Sequence, residues 1–372
     1  MFYKKLIRPL LFLHDSEKIH DCVLLNLKRV GNTPILSDVI KGVCTVYDKR
    51  LQQKLFDLTF PNPVGLAAGM DKRCDTLAAF EMLGFGFVKG GGITAMKQGG
   101  NPKPRIFRVP EDEALINRMG FNNPGAEEVA YRLSSARKPT VPRGINIGLS
   151  KAVAESIKSD IEAVVADYCY TFVKLYPYAD FFVINPSSPN TPGLRSLQKG
   201  ELLKTLLSGI QSQNLKTPRR PHERPKPTLV KIAPDLMFEA IDEILAVIKE
   251  LGIDGIVATN TTTSRDGLIT TSDVIKEIGG LSGKPLRRRS LAIVAHIHKQ
   301  FPSLPIIGVG GIFSGEDAYN MLRAGASLVQ IYTGLVYEGP GLPRRINKGL
   351  LKLMERDGVK SISDLNSVVN RS

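Results

Sequence analysis

The strongest constraint on the fold is a repeat of short apolar segments and longer segments with helical periodicity, which starts near residue 60. The apolar segments are rich in Val, Ile and Phe, and this alternation is typical of β-α units that build a parallel sheet. Eight segments can be counted as strands: 62–69, 85–92, 143–149, 181–188, 228–234, 255–262, 305–311 and 328–334. Because each is followed by helix-like sequence, the pattern predicts an α/β fold, a (β/α)8 TIM barrel closed on itself rather than an open sheet.

The carboxyl ends of these segments are unusually polar or rich in glycine. In a (β/α)8 barrel the active site is built at those ends. They read AGMDK at 68–72, GGG at 90–92, NIG at 146–148, NPSS at 185–188, KIA at 231–233, TNT at 259–261, GVGG at 308–311 and YTG at 332–334. Polar groups at all the ends together favour a large bound ligand.

Composition limits the class of protein. The 372 residues carry 50 Lys and Arg against 36 Asp and Glu, a net charge of +14, and 42% of them are hydrophobic. This balance is typical of a globular chain and excludes intrinsic disorder. The four cysteines lie far apart, so we expect neither a metal site nor a disulfide framework. The net charge alone would suit nucleic acid, an anionic membrane surface or anionic substrates.

Targeting and nucleic-acid signals are weak. The densest basic cluster, at 219–226, is interleaved with prolines and has no aromatic residue to stack on bases, so it favours a solvated loop over a nucleic-acid surface. No apolar run approaches the roughly 18–20 residues of a membrane-spanning helix. The stretch after Met1 has neither a signal-peptide core nor a transit pattern, which predicts a chain kept in the cytoplasm.

The first 45 or so residues do not fit the repeat. Leu6, Leu10 and Leu13 fall on one helical face beside basic residues, and Ile19 and Val23 begin a second stretch with similar spacing. We therefore expect a helix pair. It would either plug the bottom of the barrel or rest as a basic amphipathic appendage on an anionic bilayer surface, and its length does not decide between the two.

Amide, hydroxyl and lysine side chains cluster near the predicted strand ends. Amides at Asn117, Asn185, Asn190 and Asn260 offer donors and acceptors that suit a small planar ligand with carboxylate, carbonyl and N–H edges. Lys72 supplies positive charge for the carboxylate. No histidine or carboxylate pair is well placed among these residues, which argues against hydrolytic chemistry.

Two further segments point to an anionic cofactor. Lys231 is a charged residue in an otherwise apolar strand, and a buried lysine is costly unless it meets an anion. The glycines at 308–311 lie in the loop after the seventh strand, where barrels frequently hold a phosphate. A structural ion pair for the lysine, and tight turns for the glycines, are the alternative explanations.

Several blocks in order resemble dihydroorotate dehydrogenases of the membrane-associated, quinone-reducing class. They are NPVGLAAG at 62–69, LINRMGFNN at 115–123, SSPNTPGLR at 187–195, ATNTT at 258–262 and GGLSG at 279–283. The resemblance covers nearly the whole chain. It implies an FMN enzyme of pyrimidine biosynthesis that oxidises dihydroorotate to orotate, with removal of a proton from C5, hydride transfer from C6 to the flavin, and reoxidation by a membrane quinone.

The resemblance also implies roles for individual residues. Ser188 holds the place of the catalytic base, where the soluble class has cysteine, and a serine can serve only if its hydroxyl passes the proton onward. The implied orotate contacts are Lys72, Asn117, Asn185, Asn190, Asn260 and Thr261, with Phe121 closing over the substrate. The implied flavin contacts are Ala68, Gly69, Asn146, Asn185, Lys231, Thr259, Ser282, Gly283, Gly310, Gly311, Tyr332 and Thr333. The implied quinone contacts are His20, Arg108 and Tyr332.

The same resemblance divides the chain into a helical membrane and quinone extension, residues 1–45, and an FMN-binding barrel, residues 46–372. In the family the amino-terminal helices form a hydrophobic funnel on the membrane surface. We therefore expect a monomer that lies peripherally on the cytoplasmic side of a bacterial inner membrane and binds no nucleic acid.

Two positions depart from the family pattern. Lys89 to Gly92 read KGGG where the family usually has Glu, an aliphatic residue, Gly and then Ser or Thr, so a flavin-holding hydroxyl is missing at Gly92. Pro186 replaces an aliphatic residue beside Asn185, and a proline removes an N–H and fixes φ. Both changes predict weaker flavin binding than in a variant that combines Gly92→Ser with Pro186→Val.

Two other functions are kept as alternatives. A soluble relative that uses fumarate or NAD is disfavoured by Ser188 and by the amino-terminal extension. A flavin-binding membrane-surface homologue with reduced or lost turnover is kept open by Gly92 and Pro186.

Overall fold

Residues 2–218 and 223–365 are described by a computed structural model of the chain. The part of the basic cluster at 219–222 therefore lies outside the described residues. Of its described members, Arg224 forms an ion pair with Asp57 at 2.8 Å, and both side chains are exposed.

Regular structure follows the alternation expected from the sequence, with added pieces at both ends of the barrel. The strands, in chain order, are β1 (Gln53–Leu55), β2 (Leu58–Phe60), β3 (Val64–Leu66), β4 (Val88–Ile93), β5 (Ile106–Val109), β6 (Ala114–Asn117), β7 (Arg143–Ile147), β8 (Phe181–Ile184), β9 (Thr228–Ile232), β10 (Gly255–Ala258), β11 (Gly280–Gly283), β12 (Ile306–Val309) and β13 (Leu328–Ile331). The helices are α1 (Arg8–Phe12), α2 (Ser16–Gly31), α3 (Pro34–Cys44), α4 (Leu77–Glu81), α5 (Ala126–Ser135), α6 (Lys151–Ala154), α7 (Ile161–Leu175), α8 (Gly200–Lys216), α9 (Phe238–Leu251), α10 (Arg287–Gln300), α11 (Gly315–Arg323), α12 (Thr333–Glu338) and α13 (Leu342–Arg356).

Eight parallel strands form the barrel in the order β3-β13-β12-β10-β9-β8-β7-β4. A bridge between Gly65 and Phe87 joins the first and last of them and closes the cylinder. Every predicted segment overlaps one of these strands, so the predicted (β/α)8 barrel is confirmed. Side chains alternate along each strand, and the inward set, with Phe181, Leu229 and Val257 among them, packs into a core inside the barrel.

The amino-terminal segment forms three helices, so the expected pair is incomplete. The missed helix is α3, whose first turn carries Pro34, a residue that suits this position because the first N–H groups of a helix have no intrahelical partner. Asp15 caps α2 by accepting N–H groups of Glu17 and Lys18. None of the helices in the described residues is long and apolar enough to cross a bilayer.

The amino-terminal segment begins at the carboxyl end of the barrel and continues along its side, where Lys41 of α3 pairs with Glu81. The expectation that the segment plugs the bottom is wrong. The Tyr3 hydroxyl donates to the carbonyl of Val336 at 2.8 Å, and the ring of Phe12 meets that of Tyr337 with centroids 5.4 Å apart. Both partners belong to α12, the helix that directly follows β13. The bottom is closed by the antiparallel hairpin β1-β2, which sends the ring of Phe60 into the barrel core.

A buried ion pair fastens α2 to the barrel. Arg105 donates to Glu17 at 2.7 Å, and the arginine and the carboxylate residue are 5% and 7% exposed. The same guanidinium donates to the carbonyls of Gly99 and Asn101, and the Asn101 amide in turn donates to the carbonyl of Asn190 at 3.0 Å. The attachment of α2 is thus connected by hydrogen bonds to the loop after β8.

A small three-stranded sheet, which sequence reasoning missed, stands over the carboxyl end of the barrel. Its order is β11-β6-β5, with antiparallel pairing throughout. Because β11 lies far along the chain from β5 and β6, the pairing has no local sequence signal. The sheet places Asn117, the last residue of β6, opposite Gly280, the first residue of β11.

Candidate functional site

A pocket opens at the carboxyl ends of the barrel strands, and the space within it and its open mouth amounts to about 1030 Å³. Such a volume suits a cofactor together with a small substrate. The predicted substrate, cofactor and base residues all line it: Ser188, Lys72, Asn117, Phe121, Asn185, Asn190, Asn260, Thr261, Ala68, Gly69, Asn146, Lys231, Thr259, Ser282, Gly283, Gly310, Gly311, Tyr332 and Thr333. The structure brings them together, and their individual roles stay predictions.

The four predicted asparagines form two hydrogen-bonded pairs. The Asn190 amide donates to Oδ1 of Asn117 at 3.1 Å, and the Asn260 amide donates to Oδ1 of Asn185 at 3.2 Å. The Ser187 hydroxyl also donates to Oδ1 of Asn185 at 2.9 Å. Amide groups held by such bonds keep their other donors and acceptors fixed in direction, which suits a ligand with several polar edges.

Ser188 lies in the loop directly after β8 and is 7% exposed. Its Oγ accepts the backbone N–H of Asn190 at 3.3 Å, which leaves its O–H free to point elsewhere. Within the described parts of the chain, no His, Asp, Glu or Cys side chain lines the pocket. The titratable groups on the lining are therefore lysines and a tyrosine, and the hydroxyl of Ser188 lies among them.

Two lysines supply positive charge to the pocket. The ammonium group of Lys72 donates to the carbonyl of Gly69 at 2.6 Å, so two of its three N–H donors remain for a ligand. Burial lowers the pKa of Lys72 to about 8, against the opposing effect of nearby Glu17. Burial alone lowers the pKa of Lys231 to about 8. An anionic ligand would stabilise the ammonium forms and so raise both pKa values. This agrees with the anion that the sequence of β9 predicts.

Several buried polar atoms on the lining have no hydrogen-bond partner. They are both side-chain polar atoms of Asn146, Oε1 of Gln330 and Oδ1 of Asn190. Asn146 and Gln330 are each 1% exposed, and leaving such atoms unpaired costs roughly 1–3 kcal/mol apiece. A ligand rich in ring nitrogens and carbonyl oxygens would satisfy them. Gln330 was missed by sequence reasoning, although it is a polar residue in an apolar strand, as Lys231 is.

Glycines and hydroxyls shape the side of the pocket near β12 and β13. Gly310 and Gly311 have φ values of +138° and +67°, and an added Cβ there would lie 2.2 Å from Ser290 and 2.4 Å from Arg287. The Ser282 and Thr333 hydroxyls lie 2.8 Å apart. Backbone that no side chain shields, next to hydroxyl groups, suits the phosphate group of a ligand.

The missing side chain at Gly92 does not leave empty space. A Cβ added at Gly92 would lie 2.6 Å from the ring of Phe121, which also approaches Gly148. Phe121 itself adopts φ +52°, a conformation uncommon for a bulky residue. A serine at 92 would therefore have to displace the ring that is predicted to close over the substrate. The expectation that Gly92→Ser strengthens flavin binding assumes space that this ring fills.

Pro186 lies beyond the barrel strand rather than within it. β8 ends at Ile184, and Asn185 still donates its N–H to the carbonyl of Ile147 at 2.9 Å. The interpretation that Pro186 deletes an N–H from a barrel strand is wrong for this reason. Its effect on flavin binding stays a prediction.

Arg195 holds the two loops that carry predicted substrate contacts, a role that sequence reasoning missed. Its guanidinium donates to the carbonyls of Ser187 at 3.1 Å and Thr261 at 2.8 Å. It also forms an ion pair with Asp235 at 2.6 Å. The loops after β8 and β10 are thus joined beside Ser188.

The predicted quinone residues occupy different places. Tyr332 lines the pocket, but His20 and Arg108 lie outside its lining, next to the amino-terminal helices. Arg108 donates to the carbonyls of Phe12 and His14 at 3.1 and 2.7 Å and covers the ring of Phe12. Burial, and then the charge of Lys72, lowers the pKa of His20 to about 3.

An apolar cluster connects the pocket to α1. Its buried members are Leu115, Phe313 and Tyr337, and the rings of Phe12 and Tyr332 pack against it. The cluster therefore has the pocket at one end and the amino-terminal helices at the other.

Comparison with known proteins agrees with the geometry. The family model for dihydroorotate dehydrogenase matches residues 50–354. A curated relative from Chloroflexus aurantiacus, named dihydroorotate dehydrogenase (quinone), is 49% identical over 94% of this chain and 96% of its own length. A relative of the same name from Natronomonas pharaonis is 49% identical over 97% of each chain. A crystal structure of DHODH from Eimeria tenella in complex with ferulenol has a TM-score of 0.85 at 36% identity and 96% coverage of both chains.

Proposed function

The chain belongs to the quinone-dependent dihydroorotate dehydrogenases, and from this premise we propose that it oxidises (S)-dihydroorotate to orotate with FMN and a membrane quinone, in the biosynthesis of UMP. The observation that carries the proposal is the arrangement of side chains in one pocket. Asn146, Lys231 and Gln330 form its floor, where the polar atoms of Asn146 and Oε1 of Gln330 are unpaired. The loops above the floor carry Ser188, Lys72 and the paired asparagines.

The floor of the pocket suits the flavin. When bound, FMN would accept a hydride from the substrate and later pass two electrons to the quinone. Asn146, Lys231 and Gln330 would pair with polar edges of the ring system, and the glycines after β12 with Thr333 would hold the phosphate. The protein thereby supplies alignment and electrostatics, and the cofactor supplies the redox chemistry.

The loops above the floor suit the pyrimidine acid. Lys72 would bind its carboxylate, and the two asparagine pairs would bind its carbonyl and N–H edges with help from Thr261. Phe121 would close over the ligand and exclude water. A substrate held in this way has little freedom to rotate, which lowers the entropic part of the barrier.

Ser188 would remove the proton from C5 of the substrate. A free serine hydroxyl is a poor base near neutral pH, so its own proton must leave as the substrate proton arrives. Since no carboxylate or imidazole of the described residues lines the pocket, solvent water is the receiver in this proposal.

The quinone would approach through the amino-terminal helices. Tyr332 touches both the pocket and the apolar cluster that includes Phe12, so electrons have a short path from the flavin to an apolar ligand there. Arg108 would fix the entrance by holding the carbonyls of Phe12, at the end of α1, and of His14, just after it. His20 would form part of the same wall.

We place this entrance on a membrane surface. The amino-terminal helices expose apolar side chains, with Leu10 64%, Leu13 80% and Ile35 81% exposed. Such residues suit insertion into the headgroup region of a bilayer. Lys4 instead pairs with Glu338, so this lysine is directed to the barrel rather than to lipid. In this proposal residues 1–45 form the membrane and quinone extension of a peripheral monomer on the cytoplasmic face of an inner membrane.

Anaerobic titration of the purified holoprotein with dihydroorotate tests the proposal. We expect the visible absorbance of oxidised flavin to bleach and then to return on addition of a soluble quinone, with fumarate and NAD ineffective. Return of the absorbance with fumarate or NAD would favour the soluble class. A bound flavin that dihydroorotate does not bleach would favour a homologue without turnover.

Replacing Arg108 by methionine should separate the two half-reactions. We expect the KM for a soluble quinone to rise about tenfold, which corresponds to ~1.4 kcal/mol, because the carbonyls of Phe12 and His14 lose their donor. The rate of flavin bleaching by dihydroorotate should not change. Arg356→Met, at the exposed end of α13, is the matched control. Equal losses in both half-reactions would contradict a role confined to the quinone.

A further inference from the structure

Lys89 is a fully buried lysine for which the proposed function has no use. It is the second residue of β4 and is 0% exposed. Phe87, two residues before it, belongs to the core inside the barrel. Since side chains alternate along a strand, Lys89 faces the barrel interior as well.

Lys89 lies one layer beneath the floor of the pocket. The register of β4 against β7 pairs Lys89 with Gly144 and Gly91 with Asn146. Asn146 lines the pocket, so Lys89 is at the next level toward the bottom of the barrel. Gly144 has no side chain, and the ring of Phe181 occupies the space over it.

The ammonium group of Lys89 has no hydrogen-bond partner. Its neighbours on the inward face are Gly144 and the ring of Phe181, which packs over that glycine. Among the described residues, the one charged group that acts on Lys89 is Lys231, which reaches it from β9 and carries the same sign. The barrel therefore brings two lysines together without an anion between them.

A buried lysine in this position is poorly stabilised in its charged form. Burial, and then the charge of Lys231, holds the pKa of Lys89 well below its ordinary value, so the ammonium form is disfavoured without a ligand. Negative charge that develops in the layer above would favour the ammonium form, by the attraction of opposite charges in a medium of low dielectric constant.

We propose that Lys89 is a second cationic group beneath the flavin, which takes up one proton from solvent when the flavin gains two electrons and so favours the reduced cofactor. The substrate hydride supplies both electrons, and the proton returns to solvent when the quinone removes them. The inference rests on the proposed function in that it assumes bound flavin. It does not require that dihydroorotate be the reductant.

The test is the midpoint potential of the bound flavin, measured by reductive titration with dithionite against a reference dye. Lys89→Gln and Lys89→Glu form a matched pair of similar size that differ in charge. We expect the potential to fall in the order wild type, Gln, Glu, each step corresponding to about a tenfold change in the affinity for reduced relative to oxidised FMN, or about 29.6 mV for a two-electron couple. Equal potentials for Gln and Glu would show a steric role and overturn the proposal.

The pH dependence provides an independent measurement. One additional proton taken up with two electrons steepens the fall of the potential by up to about 29.6 mV per pH unit, and the Lys89→Gln variant should lack this addition. Identical slopes in wild type and variant would overturn the proposal. Lys89→Met, a neutral side chain of similar length, repeats the measurement if the Gln variant folds poorly.

The measurement is independent of the proposed function. A protein that binds FMN and shows the expected potentials but is not bleached by dihydroorotate would refute the proposed activity and leave the role of Lys89 supported. If dihydroorotate bleaches the flavin but the midpoint potential is the same in wild type and Lys89→Gln, the proposed activity is supported and the role of Lys89 is refuted.

Discussion

Replacing Ser188 by alanine is expected to slow the bleaching of bound flavin by dihydroorotate by about 10²–10⁴-fold, the usual contribution of a general base. The hydroxyl is the candidate group for proton removal in a pocket whose lining, as far as the chain is described, offers no carboxylate or imidazole. Orotate affinity should change little, because the asparagine pairs and Lys72 remain. The rate is measured by anaerobic stopped-flow absorbance.

A serine outside the pocket serves as the control for this change. Ser196 lies eight residues further along the chain, in a short helical turn outside the pocket lining, is half-buried, and donates to the carbonyl of Gly193 at 2.7 Å. Ser196→Ala should bleach at the wild-type rate. If Ser188→Ala also bleached at that rate, another group would have to be the base.

Replacing Lys72 by methionine is expected to weaken orotate binding roughly 10- to 150-fold, since a hydrogen bond to a charged group contributes ~1.5–3 kcal/mol. Lys72 is the lysine in the loop after β3, with N–H donors to spare beyond its bond to Gly69. Oxidised flavin should stay bound with unchanged affinity. Titration of the holoprotein with orotate, followed by the shift of the flavin spectrum, measures the loss.

The pH dependence of orotate binding identifies the group. Burial lowers the pKa of Lys72 to about 8 in the ligand-free protein, and a bound carboxylate raises it. Binding should therefore be strongest below about pH 8 and should weaken as the pH rises above that value, because the ammonium form is lost. The Lys72→Met variant should lack this dependence, whereas Lys97→Met, at an exposed position after β4, should retain it. A dependence that survives in Lys72→Met would assign it to another residue.

The barrel and most of its site could be predicted because their signals are local. A strand that is buried on both faces has a short apolar sequence. Some strands in this chain contain or precede a polar residue that a purely apolar core would not require, such as Lys231 in β9 and Asn185 after β8. Once the strands are closed into a barrel, these ends must meet at one rim. The pairing of Asn185 with Asn260 follows from that closure. Asn117 instead reaches Asn190 from the three-stranded sheet above the barrel.

The features that the sequence did not predict depend on contacts between distant segments. The three-stranded sheet joins β11 to β6, which four barrel strands separate in the chain. Arg195 acts through backbone carbonyls that carry no side-chain signal. The ring of Phe121 fills the space beside Gly92 from a different loop, so the glycine could be interpreted from sequence only as a loss. Gln330 was predictable by the reasoning applied to Lys231 and was overlooked.

The salt link between Glu17 and Arg105 makes the helical extension part of the catalytic architecture. Removing the residues before the barrel would leave the buried guanidinium of Arg105 without its counter-ion. In comparable cases such a change lowers the free energy of unfolding by ~3–5 kcal/mol. Arg105 also braces Asn101, whose amide supports the backbone of Asn190. A displacement of the extension would therefore be transmitted to Asn190, on the lining of the pocket, through the hydrogen bonds of Arg105 and Asn101.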